Sequence, residues 1–176
     1  MRAMRLKSLA VELGGEVRGS DATVTGVALD SRRLQPGDLF IALPGAQADG
    51  HEFLEAAAAA GAGAAMVTRF VDAALPQWQV SDPRRTLIEL ACRARSESAA
   101  GVVGVTGSNG KTTVKAMLTA ILARMGSTCA TEGNLNNELG VPLTLCRIEP
   151  SDRYAVVEMG CGKPGDIGLL ASWARP

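Results

Sequence analysis

The chain has 176 residues, 47% hydrophobic and 20% charged, with Lys+Arg and Asp+Glu equal at 18 each. Such a composition excludes a disordered chain, and the zero net charge gives no support for nucleic acid or an anionic membrane as a partner. Aromatic residues make up only 3%, so packing must rest on Ala, Leu, Val and Gly. The cysteines (Cys92, Cys129, Cys146, Cys161) are scattered and form no C-x-x-C pair. That pattern predicts buried reduced thiols rather than a zinc site or a disulfide framework. The first ten residues lack a signal-peptide apolar run, and no stretch approaches the about 18 apolar residues of a membrane span. A cytoplasmic location is expected.

Leu6, Leu9, Ala10 and Leu13 mark one face of a short helix that Gly14-Gly15 should stop. Residues 24–29 (Val-Thr-Gly-Val-Ala-Leu) read as a strand ending at Asp30-Ser31-Arg32-Arg33. A Pro36-Gly37 turn leads into a second strand at 39–43. A polar loop over 46–51, an alanine-rich helix over 53–60, and strands at 64–68 and 78–80 follow. A helix over 86–98 has Leu87, Leu90, Ala91 and Ala94 on one face. Short strands mixed with helices predict a small α/β domain over residues 1–98. Asp30-Ser31-Arg32 and Asp49-Gly50-His51 lie where strands hand over to loops, places that often carry ligand groups. On chemistry alone, a turn with an internal ion pair and a structural histidine are the better readings, since turns select Asp, Ser and Gly anyway.

Residues 99–176 are organised around Gly104-Val105-Thr106-Gly107-Ser108-Asn109-Gly110-Lys111-Thr112-Thr113. The β-branched run Gly101-Val102-Val103 precedes it as a buried strand. Val114, Met117, Leu118, Ile121, Leu122 and Met125 follow at helical spacing, which predicts a helix with one apolar face. Strand, glycine-rich turn, Lys-Thr and helix make up a phosphate-binding loop. The glycines let several N–H groups turn toward one anion, and the helix N-terminus adds partial positive charge. Lys111 can reach the β- and γ-phosphates of ATP, and the Thr112 hydroxyl can ligate Mg²⁺. A glycine-rich turn with no ligand is the alternative, disfavoured because Gly-Lys-Thr-Thr follows a strand and opens a helix.

A parallel strand is expected at 127–131. After it, Glu132-Gly133-Asn134-Leu135-Asn136-Asn137-Glu138-Leu139-Gly140-Val141-Pro142 carries three asparagines within four residues, unsuited to the interior of an ordinary helix or strand. It is either an elaborate turn or a loop that lies near the phosphates, as loops do at the carboxyl ends of parallel strands. A third strand, 154–160, ends in Glu158. A strand-end acid can cap the next helix; beside Lys111-Thr112, service to Mg²⁺ is the better reading. A last helix is expected over 167–173. Three strands and three helices are few for a parallel sheet that must be covered on both faces. The expectation is therefore an apparently truncated P-loop ATP-binding domain at the start of a longer enzyme.

The loop departs from G-x-x-x-x-G-K-[ST], since position 105 is valine, and instead resembles the G-x-T-G-[ST]-N-G-K-T-T of the Mur ligases and folylpolyglutamate synthetases. Asp30-Ser31-Arg32 with Pro36-Gly37-Asp38-Leu39-Phe40, Asp49-Gly50-His51 with Phe53, and the run from Thr106 to Lys115 resemble successive segments of the Mur ligases. Thr131 to Leu145, Glu158-Met159-Gly160 and Pro164-Gly165-Asp166-Ile167 resemble the MurF family in particular, whereas folylpolyglutamate synthetases begin at the ATP domain. Cys161 stands where that family more often has Ala. The resemblance implies an N-terminal domain that binds the UDP end of UDP-N-acetylmuramoyl-tripeptide, with Ser31, Arg32, Asp49 and His51 as substrate contacts. It implies a central domain that binds ATP and Mg²⁺ through Gly107, Ser108, Asn109, Gly110, Lys111, Thr112 and Thr113, with Thr112 and Glu158 on the metal. The reaction it implies is ligation of D-alanyl-D-alanine through an acyl phosphate. Lys111, Glu158 and Asn137 are the catalytic candidates, and Asn134 and Asn136 the substrate-side ones. A monomer is expected, and no ligation by this chain alone. A MurE-type ligase and a non-catalytic nucleotide-binding module remain the alternatives.

Overall fold

The computed structural model describes residues 2–45 and 48–176. Ala46 and Gln47, the first two residues of the expected polar loop, lie outside the described residues. The chain divides into two compact units, Arg2–Thr86 and, apart from the undescribed Met1, Leu87–Pro176.

Among the described residues, the first unit has nine short strands and α-helices besides two 3-10 turns. They are β1 (Met4–Arg5), α1 (Leu6–Leu13), β2 (Glu16–Arg18), β3 (Thr23–Val24), β4 (Gly26–Ala28), β5 (Asp38–Ile41), α2 (Leu54–Ala59), β6 (Ala64–Val67) and β7 (Gln77–Gln79). The main sheet runs β2-β7-β6-β5-β4. Its last four strands are parallel and β2 is antiparallel to β7. The strand expected over 24–29 is two strands. β3 pairs antiparallel with β1, while β4 joins the main sheet beside β5. Leu39, Phe40, Ile41 and Ala64 to Val67 are buried, as strands covered on both faces require. Trp78 is fully buried, and its indole N–H donates to Gly14 O at 2.8 Å where α1 ends.

Helix α3 (Pro83–Glu97) carries the chain from the first unit into the second. It begins before the expected Thr86, because the Asp82 carboxylate accepts from the Arg84 and Arg85 amides at 3.0 and 3.1 Å and Pro83 suits a first helical turn. By compactness the units part within this helix, after Thr86. Its larger, C-terminal part belongs to the second unit, where the Arg95 guanidinium donates to the carbonyls of Ser98, Ala174 and Arg175.

The second unit continues with β8 (Gly101–Val105), α4 (Lys111–Leu122), β9 (Thr128–Ala130), α5 (Gly140–Cys146), β10 (Tyr154–Glu158) and α6 (Asp166–Ala174). Its sheet is parallel in the order β8-β10-β9, with Glu158 opposite Val105 and Val156 opposite Ala130. The connection from β8 through α4 to β9 therefore leaves a gap that β10 fills. Helix α4 forms as expected; Val114, Met117, Ile121 and Met125 are 46–60% exposed, and Lys115, Leu118, Thr119 and Leu122 take the more buried face. One expectation needs correction: Gly140, Val141 and Pro142, expected to end the asparagine loop, open α5, every residue of which is buried. Asn137 makes that possible: its Oδ1 accepts from the Leu139 and Gly140 amides at 3.1 and 2.9 Å, at the start of the helix. All four cysteines are free, but of the thiols expected to be buried only Cys146 is; Cys92 and Cys129 are half-buried and Cys161 is exposed. Burial pushes the Cys129 and Cys146 thiols up to about 11 and about 12. No described helix is long and apolar enough to cross a membrane.

Candidate functional site

The carboxyl ends of β8, β10 and β9 lie side by side. The glycine loop leaves β8, Glu158 ends β10, and the asparagine loop leaves β9. This is the edge where parallel α/β sheets bind ligands. The loop turns into α4 at Gly110, whose φ of 76° lies in the left-handed region that favours glycine. The backbone N–H groups from Asn109 to Thr113 have no backbone acceptor among the described residues, so they are available to an anion at the N-terminus of a 12-residue helix. Lys111 opens the helix, and its ammonium donates to Gly107 O at 2.7 Å, folded back over the loop. Ser108 and Asn109 are exposed on the same loop.

Behind the loop, Glu158 is 2% exposed and fully ligated. Its Oε2 accepts from Thr112 Oγ1 at 3.2 Å and pairs with Lys115 Nζ at 3.1 Å, and its Oε1 accepts from Asn136 Nδ2 at 2.9 Å. Its amide donates to Thr131 Oγ1 at 3.0 Å. Burial pushes the carboxyl upward. The hydrogen bonds from Asn136, Lys115 and Thr112, with the Lys115 charge, outweigh it and hold the group below its ordinary value. Glu158 is therefore an anion at neutral pH, ringed by donors.

The three asparagines do different things. Asn136 holds Glu158, and its own carbonyl accepts from Gly160 N at 2.7 Å, which ties the loop to the strand end. Asn137, the asparagine the sequence favours, spends its carbonyl oxygen on the start of α5, as described above. Asn134 contributes its backbone carbonyl to the Asn136 amide at 2.8 Å and is exposed. In the sequence Lys115 is only the tail of the loop motif, which gives no hint that it is buried. The signal is in the spacing, since Lys115 lies one helical turn beyond Lys111 and so shares its face.

The donor set fits Mg²⁺. Thr112 Oγ1 and Glu158 Oε2 are hard oxygens 3.2 Å apart, close to the separation of adjacent ligands around an ion that takes oxygens at about 2.1 Å. No cluster of three or more His, Cys, Asp or Glu able to hold a metal occurs among the described residues. The described protein atoms thus offer part of a coordination shell, which phosphate oxygens and water would complete.

In the first unit, the remaining candidates follow the ends of β4 and β5. Ser31, Arg32 and Arg33 form a 3-10 turn, capped by Asp30, which accepts from the Arg32 amide at 3.0 Å. The Arg32 guanidinium also donates to Asp30, at 2.9 and 2.7 Å, and with the amide bond lowers that carboxyl to about 2. His51 sits in a second 3-10 turn, Gly50–Phe53, with its side chain 1% exposed. The Thr68 amide donates to Nε2 at 3.0 Å, so Nδ1 carries the proton toward Asp49 Oδ1 at 2.6 Å. Asp49 Oδ2 accepts from Arg69 at 2.7 Å. Arg69, then the His51 amide and ring, hold the Asp49 carboxyl well below the usual carboxylate range. Both ring nitrogens of His51 are engaged; Arg32, with a side chain 85% exposed, faces solvent.

A glycine loop between strand and helix, beside a buried strand-end acid, is the layout of a phosphate-binding α/β unit, and two family models match the chain. One, described as Mur ligase middle domain, matches residues 105–176, and one, described as Mur ligase family, catalytic domain, matches residues 23–95. The chain belongs to the Mur ligase family. Within it, the whole chain is 47% identical to the UDP-N-acetylmuramoyl-tripeptide–D-alanyl-D-alanine ligase of Escherichia coli (strain K12), of which it spans 39%. It is similar over its whole length, at 35% identity and a TM-score of 0.86, to a crystal structure of MurF from Acinetobacter baumannii, spanning 40% of that chain. Over 86% of its length it is similar to the MurF ligase from Thermotoga maritima in complex with ADP, at 35% identity, a TM-score of 0.70 and 35% of that chain. The chain thus spans about two fifths of the relatives it matches, and the similarity runs to MurF.

Proposed function

We propose that this chain is the nucleotide-handling portion of an ATP-dependent ligase of peptidoglycan precursor synthesis, joining D-alanyl-D-alanine to UDP-N-acetylmuramoyl-tripeptide. The observation that carries the reading is the meeting of Lys111, Thr112, Asn136 and Glu158 at one edge of the β8-β10-β9 sheet. The ADP complex of a similar MurF supports ATP as the nucleotide.

In this reading the loop N–H groups and Lys111 bind the β- and γ-phosphates. Lys111 leaves Gly107 O to neutralise charge on the transferred phosphoryl group. Thr112 and Glu158 hold Mg²⁺, which when bound screens the phosphate charge. The tripeptide's terminal carboxylate attacks the γ-phosphorus, giving an acyl phosphate and ADP; the dipeptide amine then displaces phosphate and forms the amide. Asn136 holds Glu158 in place, and the amide nitrogen of Asn137 is left to meet substrate. Ser31 and Arg32 bind the UDP end, with Asp49 and His51 shaping that edge. The enzyme acts as a cytoplasmic monomer on small molecules, with no nucleic acid or membrane as partner. Ligation itself requires more of the polypeptide than these residues.

Calorimetry tests the reading. ADP–Mg²⁺ should bind saturably and lose at least about tenfold in affinity with Lys111→Ala, one charge-assisted hydrogen bond being worth that much. UDP-N-acetylmuramoyl-tripeptide should bind equally to both proteins. Nucleotide binding indifferent to Lys111 would sink the ligase reading in favour of a non-catalytic module.

A further inference from the structure

Lys115 is a buried lysine, 7% exposed, and belongs to no part of the phosphate loop. A buried ammonium without partners is costly and is retained only where it is paired. Here it is paired twice: Nζ donates to Gly133 O at 3.0 Å and meets Glu158 Oε2 at 3.1 Å. Those two partners come from different segments. Gly133 opens the asparagine loop, Glu158 ends β10, and Lys115 itself stands on α4 one turn past Lys111.

We propose that Lys115 is a positioning residue of the nucleotide site, clamping the asparagine loop and the Glu158 carboxylate into the one arrangement that presents Oε2 to Thr112. This rests on the nucleotide reading above and adds a residue to it. The geometry is specific. Glu158 has only two oxygens, and Asn136 holds Oε1. Its other oxygen must serve Thr112 and Lys115 together. Without the ammonium, Oε2 keeps only the Thr112 hydroxyl and Gly133 O loses its side-chain donor, while Glu132 still pairs with Arg147 and Asn136 O still accepts from Gly160 N. Lys111 and Lys115 therefore divide the work of one helical face. The first is half-buried, with its ammonium on the Gly107 carbonyl of the loop, and can move onto phosphate; the second is buried and holds the oxygens that would receive the metal.

The test compares wild type, Lys115→Met, Lys115→Arg and Glu158→Gln in ADP affinity with and without Mg²⁺, after urea unfolding confirms that each is folded. Lys115→Met should lose at least about tenfold of the gain in affinity that Mg²⁺ confers, the worth of one charge-assisted hydrogen bond, and keep its metal-free ADP affinity. Lys115→Arg should restore part of that gain. Adding Lys115→Met to Glu158→Gln should cost nothing further, because the lysine acts through the carboxylate. In the ligand-free protein, amide exchange over residues 132–139 should quicken in Lys115→Met while that of β10 stays unchanged. A merely structural lysine would change both ADP arms alike. A Mg²⁺ gain retained in Lys115→Met, or costs that add in the double variant, would overturn the proposal while leaving the nucleotide reading intact. Wild-type protein that binds no ADP in either arm would overturn both.

Discussion

Asn136→Ala removes one contact and leaves its surroundings in place. Glu158 is buried, and the side-chain amide of Asn136 is the only donor to its Oε1 among the described residues, at 2.9 Å. The assignment of that donor is chemical: an ionised carboxylate only accepts, so the nitrogen of the amide must face it. A hydrogen bond to a charged group is worth about 1.5–3 kcal/mol. Thr112 and Lys115 remain on Oε2, so a loss near 2 kcal/mol, the lower half of that range, is expected, about 1 M in urea midpoint at ordinary slopes. The pH dependence carries the sign. Glu158 is held below its ordinary 4.5 in the folded chain, so the stability it contributes is present above that value and lost as pH falls through the lower folded one. The deficit of Asn136→Ala should be constant above about pH 5 and shrink below it. Asn136→Asp places a second carboxylate where the donor stood. Two charges at that separation repel by about 6 kcal/mol at an effective dielectric near 20, and proton uptake caps the penalty. Its deficit should therefore grow as pH rises. Urea titrations between pH 4 and 8, followed by circular dichroism, read all of this. An Asn136→Ala protein within about 0.5 kcal/mol of wild type at neutral pH would refute the reasoning, because surface substitutions cost that little.

Three further outcomes follow from the same geometry. Asn137→Ala should cost about 1 kcal/mol, the worth of a helix cap, with no pH dependence, again read by urea unfolding. Gly140→Ala should cost about 3 kcal/mol or more, because an added Cβ would stand 2.2–2.4 Å from Leu135 backbone atoms; a midpoint near wild type would mean the loop is not packed this way. Asp49→Asn should remove stability that is present above the ordinary carboxylate value of 3.8 and lost as pH falls toward the lower folded value. Its unfolding midpoint should converge on that of wild type only below about pH 4.

Much of this was legible in the sequence because local rules and the fold agree. Gly107 and Gly110 had to lie between a strand and a helix that Lys111-Thr112 open, and they do. The strands at 39–41 and 64–67 are apolar runs buried on both faces, the simplest pattern to read. Where the reading stopped short, longer-range partners decided. Residues 24–29 look like one strand, but Val24 pairs with Met4 and Val27 with Leu39, and no local pattern distinguishes the two sheets. Nor does composition reveal α5: Gly140 and Pro142 discourage a helix on propensity, yet Pro142 falls in the first turn and Asn137 caps it. His51 reads as a loop residue, and its burial depends on the Thr68 amide, 17 residues away.

Helix α4 joins the fold to the chemistry. Its apolar residues recur at helical spacing, which is sufficient to predict a helix but leaves its rotation open. A rotation that buried Val114, Met117, Ile121 and Met125 would carry Lys115 away from the strand ends, because those side chains lie on the neighbouring arc of the same cylinder. The observed rotation instead exposes that arc and turns Lys111, Lys115, Leu118 and Leu122 to the less accessible side. That rotation brings the Lys115 ammonium to Glu158 and Gly133, and Thr112 to the same carboxylate. The two polar groups stand three residues apart on one face of the helix, so a single rotation satisfies both, and the apolar spacing alone does not choose it.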